Sequence, residues 1–306
     1  MNCIKYNVGK WLTFLIMACL FAGPVLAEDS ATKPATPAFS VKVTGSGRPM
    51  ILIPGMSCGG DVWNATVEHF KNQYECHVLT LAGFAGQPAI GTPFLPQVRT
   101  ELQKYIEDKK LDHPVIIGHS LGGFLAYWIA ATAPQKVGPV IAVDGLPFLP
   151  QLFNPAATAE SMKPMAEQFR AMTSSQSTEA FAASNRRALE GMITDTKNVD
   201  AVEATSKKSD PKSVAEATYE MLTVDLRPLM KDIRTPVLLL GAGSDMTDPA
   251  KRAAGEAVYK QQVASIPNHK VVLATNSLHF IQLDQPQFFY TQVEAFLKDP
   301  GGAAVK

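Results

Sequence analysis

The chain has no excess of charge of either sign: 28 Lys and Arg are matched by 28 Asp and Glu, with no basic cluster. That balance excludes nucleic acid as a partner, because proteins that grip phosphates concentrate Lys and Arg on one face. No internal repeat is visible. Cysteine is scarce, with four in the chain. Cys3 and Cys19 fall in an N-terminal segment, and Cys58 and Cys76 remain in the main body. Neither has the setting of a nucleophile or a metal ligand, and no metal or organic cofactor is implied. Cys58 follows one strand and Cys76 precedes the next, so they should lie near opposite ends of a sheet, beyond the roughly 7 Å that a bridge tolerates. Long hydrophobic runs are also missing. The one at residues 11–21 is short for a bilayer span.

That run belongs to an expected signal peptide, residues 1–27. Lys5 and Lys10 form the positive region, and Pro24-Val25-Leu26-Ala27 offers small residues before a cut ahead of Glu28. A lipid anchor on Cys19 is a weaker alternative, because Met17 fits a lipobox poorly and apolar residues continue past the cysteine. A periplasmic or secreted protein is expected, slightly acidic once the two lysines leave, in a compartment that permits disulfides. Residues 28–38 read as a polar linker, 39–298 as the main domain and 299–306 as a flexible tail. The whole chain has 306 residues, 46% hydrophobic and 18% charged, enough for one large α/β domain.

Residues 39–43 alternate apolar and polar, as a half-buried antiparallel strand does. The runs at 49–53, 77–81, 115–117, 140–143, 236–240 and 270–274 are continuously apolar, the pattern of strands buried on both faces. Helical spacing at 63–71, 98–108 and 286–297 alternates with them, which predicts a mostly parallel sheet covered by helices on both sides. Ligands of such sheets bind beyond the carboxyl ends of the strands. About 146–222 breaks the alternation with helical stretches rich in Ala, Met, Ser and Thr. A segment of that length needs structure of its own, and a helical cap over the strand ends, lining an adaptable pocket, is expected.

Val115-Ile116-Ile117-Gly118-His119-Ser120-Leu121-Gly122-Gly123 organises the rest. A buried strand stops, Ser120 sits at a sharp turn, and a helix follows, which is the nucleophile elbow G-x-S-x-G. Serine needs a base held in one tautomer by a third group. His279 lies in the loop after the last strand, on the face where Ser120 emerges, and is the expected base. The acid should come between them in chain order. Asp245, after the strand at 236–240, is preferred. Asp248 precedes Pro249, where it could cap a helix, and Asp144 ends the strand at 140–143. Two N–H donors for the developing oxyanion are expected from Leu121 and Met56. Phe84, His119 and Phe148 are candidate pocket residues.

These motifs resemble the α/β-hydrolase family, in its single-chain esterase, lipase and peroxidase-like group. Ile51-Leu52-Ile53-Pro54-Gly55, the Gly83/Gly86 turn, the elbow, Asp225-Leu226-Arg227-Pro228 ahead of Pro236-Val237-Leu238-Leu239-Leu240-Gly241, and His279-Phe280 occur in family order. The resemblance implies the α/β-hydrolase fold, a helical cap between the sixth and seventh family strands, and a Ser120–Asp245–His279 catalytic triad. Pro54-Gly55 stands where the family commonly has His-Gly, and Ala82 where it often has Asp. A serine at position 120 excludes the branches that use a carboxylate nucleophile.

The expected activity is hydrolysis of a small or medium, apolar acyl ester through an acyl-enzyme. Amide hydrolysis, thioester hydrolysis and acyl transfer are rivals on the same residues. Leu121 stands where prolyl aminopeptidases usually carry tryptophan. A ligand-binding protein without turnover is the rival of another class.

Overall fold

The computed structural model describes residues 36–243 and 248–300. The expected signal peptide therefore lies outside the described residues, as do most of the linker and residues 301–306 of the tail. The expected linker is already anchored at its last residue. Ala38 is fully buried, its N–H donates to Glu101 (2.8 Å) and its carbonyl accepts from the Ala82 N–H (2.9 Å).

Among the described residues seven strands form one sheet: β1 Phe39–Gly45, β2 Arg48–Ile53, β3 Tyr74–Leu81, β4 Val115–His119, β5 Val140–Val143, β6 Val237–Ala242 and β7 His269–Ala274. Their order is β1-β3-β2-β4-β5-β6-β7, with β1 antiparallel and the rest parallel. The continuous apolar runs are explained by period-two alternation between two cores. Ile51, Ile53, Ile116, Val237 and Leu239 pack on one face of the sheet. Met50, Leu52, Val115, Ile117, Leu238 and Leu240 pack on the other. A polar residue at any of these positions would be buried on whichever face it pointed to.

Helices cover both faces in the chain order α1 Asn64–Phe70, α2 Phe94–Asp108 and α3 Leu121–Thr132, then α8 Pro249–Val263, α9 Ile281–Asp284 and α10 Pro286–Lys298. Between β5 and β6 come α4 Ala159–Ser174, α5 Thr178–Glu190, α6 Thr196–Ser206 and α7 Pro211–Thr223. Helix α2 starts four residues before the periodicity suggested, because Pro96 falls in its first turn, where the missing N–H has no acceptor to lose. No side chain of its own caps α2. Glu220 of α7 does so instead, accepting from Phe94 N–H (2.8 Å) and Leu95 N–H (2.6 Å).

Cys58 and Cys76 are free and buried. Cys76 pairs in register with Met50 at the start of β2, whereas Cys58 follows the end of that strand, so the sheet separates them. Among the described residues no helix is long and apolar enough to cross a membrane.

Candidate active site

The candidate site stands on the carboxyl ends of three strands. Ser120 follows β4, Asp144 follows β5, and His279 lies in the loop after β7. His119 and Val143 are register partners, so Ser120 and Asp144 leave the sheet side by side. Ser120 has φ 53° and ψ −116°, a strained region for a residue with a side chain. The elbow holds it there by close packing. A Cβ on Gly118 would sit 2.1 Å from the Gly122 carbonyl oxygen, and one on Gly122 would sit 2.2 Å from that of Ile53. Only glycine lets strand and helix approach so closely. Leu121 opens α3, so its N–H has no intrahelical acceptor and remains available. Met56 lies opposite, in the turn closed by the Cys58 N–H to Gly55 carbonyl bond (3.2 Å), and both Met56 and Ser120 border the same cavity.

His279 Nδ1 donates to Asp144 Oδ2 at 2.6 Å. The described carboxylate on His279 is thus Asp144, which the sequence offered as an alternative to the preferred Asp245. The reason is register: β5 is a direct neighbour of β4, and its last residue is followed at once by Asp144, with no loop to carry the side chain away. Asp245 lies outside the described residues. Asp248 is the N-cap of α8, accepting from the N–H groups of Ala250 and Lys251 at 2.9 Å each. Asp144 takes φ 46°, a left-handed conformation that Asp tolerates better than most side chains. Its Oδ1 accepts from the Tyr259 hydroxyl (2.7 Å) and the Ala242 N–H (3.0 Å). Burial pushes the Asp144 pKa up, but the hydrogen bond and charge of His279, with the Tyr259 and Ala242 bonds, outweigh it and leave the group below its ordinary value.

His119 is buried beside this pair. Its Nε2 donates to the His279 carbonyl at 3.1 Å, and its ring centroid lies 4.6 Å from that of His279 and 4.3 Å from that of Phe280. A Cβ on Gly55 would fall 2.8 Å from its Nδ1, so one imidazole meets the elbow, the Gly55 loop and the His279 loop together. Burial and the neighbouring His279 push its pKa down to about 3, which keeps the ring neutral. The cap also holds the His279 loop: Phe280 N–H donates to the Met192 carbonyl (3.3 Å), and Asp284 accepts from Thr194 N–H (3.0 Å) and Leu278 N–H (2.9 Å). The other histidines are engaged elsewhere, His69 with Glu294, His77 with Glu75, His113 with Asp112, and His269 with the Ile266 carbonyl.

Ser120, Asp144 and His279 border a cavity of about 680 Å³, closed on the cap side by side chains such as Phe169, Met172, Phe181, Met192 and Met221. His119 borders it too; Phe84 and Phe148 do not. Phe84 turns back into the core against Phe94, 5.5 Å between centroids. Phe148 is fully buried under the Arg227 guanidinium, 4.8 Å from its ring. Apolarity alone put both on the candidate list, and apolar side chains beside a cavity serve the core as readily as the wall. Tyr259 was absent from that list. Its signal is weak, a tyrosine on the buried face of the helix after β6, where Gly241 leaves it room: a Cβ there would sit 2.8 Å from the ring.

The alpha/beta hydrolase sequence profile matches residues 50–292. The chain belongs to the alpha/beta hydrolase family. Among curated relatives, the pimeloyl-[acyl-carrier protein] methyl ester esterase of Vibrio parahaemolyticus is 26% identical over 262 residues, covering 83% of this chain and 96% of its own. That of Aliivibrio salmonicida is 23% identical over 259 residues, covering 83% and 94%. These relatives are esterases, and the hydrolase described here is carboxylesterase-like. Among solved structures, MenH from S. aureus has a TM-score of 0.69 at 17% identity, covering 87% of this chain and 99% of its own. The enol-lactonase from Burkholderia xenovorans LB400 has a TM-score of 0.67 at 15% identity, covering 85% and 96%.

Proposed function

We propose that this hydrolase cleaves a small or medium, apolar acyl ester through a Ser120–His279–Asp144 triad and an acyl-enzyme. The observation that carries the reading is the 2.6 Å bond from His279 to Asp144, at the edge of the cavity into which the strained Ser120 turn opens. With Nδ1 donating to Asp144, the lone pair of His279 is on Nε2, where it takes the proton from Ser120 Oγ as the oxygen attacks the ester carbonyl. Ionised Asp144 stabilises the imidazolium that forms. The N–H groups of Met56 and Leu121 hold the oxyanion. His279 then protonates the departing alcohol and activates the water that releases the acid. The esterase names of the relatives support an ester as substrate, and the Met- and Phe-bearing cap supports an apolar acyl group.

The test is hydrolysis of p-nitrophenyl esters from acetate to palmitate. Ser120→Ala should fall to background. Asp144→Asn should lose about 10⁴ in kcat, as expected when the base loses its orienting carboxylate, whereas Asp245→Asn should stay within roughly threefold, because the bond to His279 is made by Asp144. If Asp245→Asn collapses while Asp144→Asn survives, the acid is misassigned. We also infer export from the pattern of residues 1–27, which N-terminal sequencing of the protein from its native cell would check by a start at Glu28.

A further inference from the structure

Among the described residues, every ionisable group on the wall of the active-site cavity belongs to the corner around Ser120: His119, Asp144 and His279, with no Lys or Arg on that wall. The cap helices that close the cavity do carry cations, but none of them lines the wall, and Arg170 and Arg186 are held by carboxylates. Arg170 is held by Glu167 (2.6 Å) and Glu216 (3.3 Å) and lies over the Tyr219 ring at 4.2 Å. Arg186 is held by Glu190 (2.8 Å), Asp200 and Glu203 (2.6 Å each). The polar part of the described cap-side wall is neutral, made of Thr173, Gln176, Ser184, Asn185 and Thr218. Some of its capacity is already used, Ser184 with Gln176 (3.4 Å) and Asn185 with Ser206 (2.8 Å). The apolar wall continues to the surface through Phe153 and Met172, which are 80% and 58% exposed.

We propose that this cavity selects esters whose acyl chain is uncharged along its whole length and rejects those bearing a second carboxylate or a phosphate. The inference rests on the esterase reading of Ser120 and adds a rule of charge to it. An anionic acyl chain would have to leave water and enter a wall whose described residues include a carboxylate, Asp144, that repels it and no Lys or Arg to pair with it. A buried charge without a partner is among the most costly arrangements in a protein. His119 offers no relief, since its burial keeps it neutral. Neutral polar groups on the chain, a hydroxyl or a keto oxygen, remain compatible with Gln176, Ser184 and Asn185.

Three p-nitrophenyl esters of equal backbone length separate the possibilities: the octanoate, the suberate with a free terminal carboxylate, and the suberate with that carboxylate methylated. The octanoate and the methylated suberate should exceed the free acid in kcat/KM by about a hundredfold or more, the discrimination expected when a buried charge goes unpaired. Placing a cation at the mouth with Met172→Lys, at a position exposed enough to accept it, should narrow that ratio about tenfold. Isothermal titration on Ser120→Ala removes turnover from the comparison, and dimethyl suberate should bind more tightly than monomethyl suberate. Equal kcat/KM for the charged and methylated esters, or equal affinities, overturns the charge rule and leaves the esterase standing. Wild-type rates no higher than those of Ser120→Ala on all three esters overturn the esterase reading and the rule with it.

Discussion

Tyr259 and His119 show how single side chains prepare the site without touching the reacting atoms. Tyr259 gives its hydroxyl proton to Asp144 Oδ1 at 2.7 Å, leaving Oδ2 aimed at the imidazole. Tyr259→Phe keeps the ring against Gly241 and deletes that bond, with the longer hydroxyl contact to the Ala242 carbonyl (3.4 Å). It should lower kcat about tenfold with little change in KM, because the loss acts on the orientation of the base and not on substrate binding. His119 imposes a pH dependence on stability. Its folded pKa, about 3, lies below the ordinary histidine value near 6.5 of an unfolded chain. Between those values the unfolded chain holds a proton that the folded one refuses, so stability rises with pH through this window. His119 is therefore at no disadvantage above about pH 6.5 and costs stability progressively as the pH falls toward 3. Urea unfolding between pH 7 and pH 4 should show a steeper acid loss for wild type than for His119→Asn. Parallel slopes would mean that the ring titrates freely.

At the scale of elements, the strands were legible because both faces of the sheet are apolar and the runs stop at turns. The helices were legible where one face is buried. What periodicity does not carry is which element satisfies another's exposed backbone. Glu220, in the cap, caps α2 through two N–H bonds, although 126 residues separate it from Phe94. Burial pushes its pKa up while the two N–H bonds pull it down. Glu220→Ala should cost about 1–2 kcal/mol, the range for a lost cap with orphaned buried donors, and lower Tm by a few degrees for a domain of this size. A melting curve unchanged from wild type would show that water replaces the carboxylate. The elbow is less forgiving. Gly122→Ala puts a methyl group against the Ile53 carbonyl oxygen, backbone that cannot move without shifting β2, and soluble, active protein should not be recovered.

For the whole molecule, the buried thiols report both fold and processing. Cys58 and Cys76 are pushed up to about 12 and about 11, chiefly by burial, so neither forms thiolate readily. Protein lacking residues 1–27 should be silent to Ellman's reagent, then release two thiols per chain in guanidinium. Four thiols on unfolding of the protein from its native cell would mean that Cys3 and Cys19 had stayed with the chain. Local sequence was enough for the alternation of strand and helix, the elbow at Ser120 and the position of His279 after the last strand. Those are local: a run of apolar residues, a spacing of glycines, a place in chain order. Folding was needed to see that Asp144 meets the imidazole while Asp248 caps α8, since both follow strands and differ in register and in the length of chain that aims them. It also places Phe84 and Phe148 in the core, brings Tyr259 of α8 to Asp144, and holds Arg170 and Arg186 against carboxylates. Each of these depends on the direction of a side chain across elements far apart in the chain, and side-chain direction is set by packing, which no local pattern encodes.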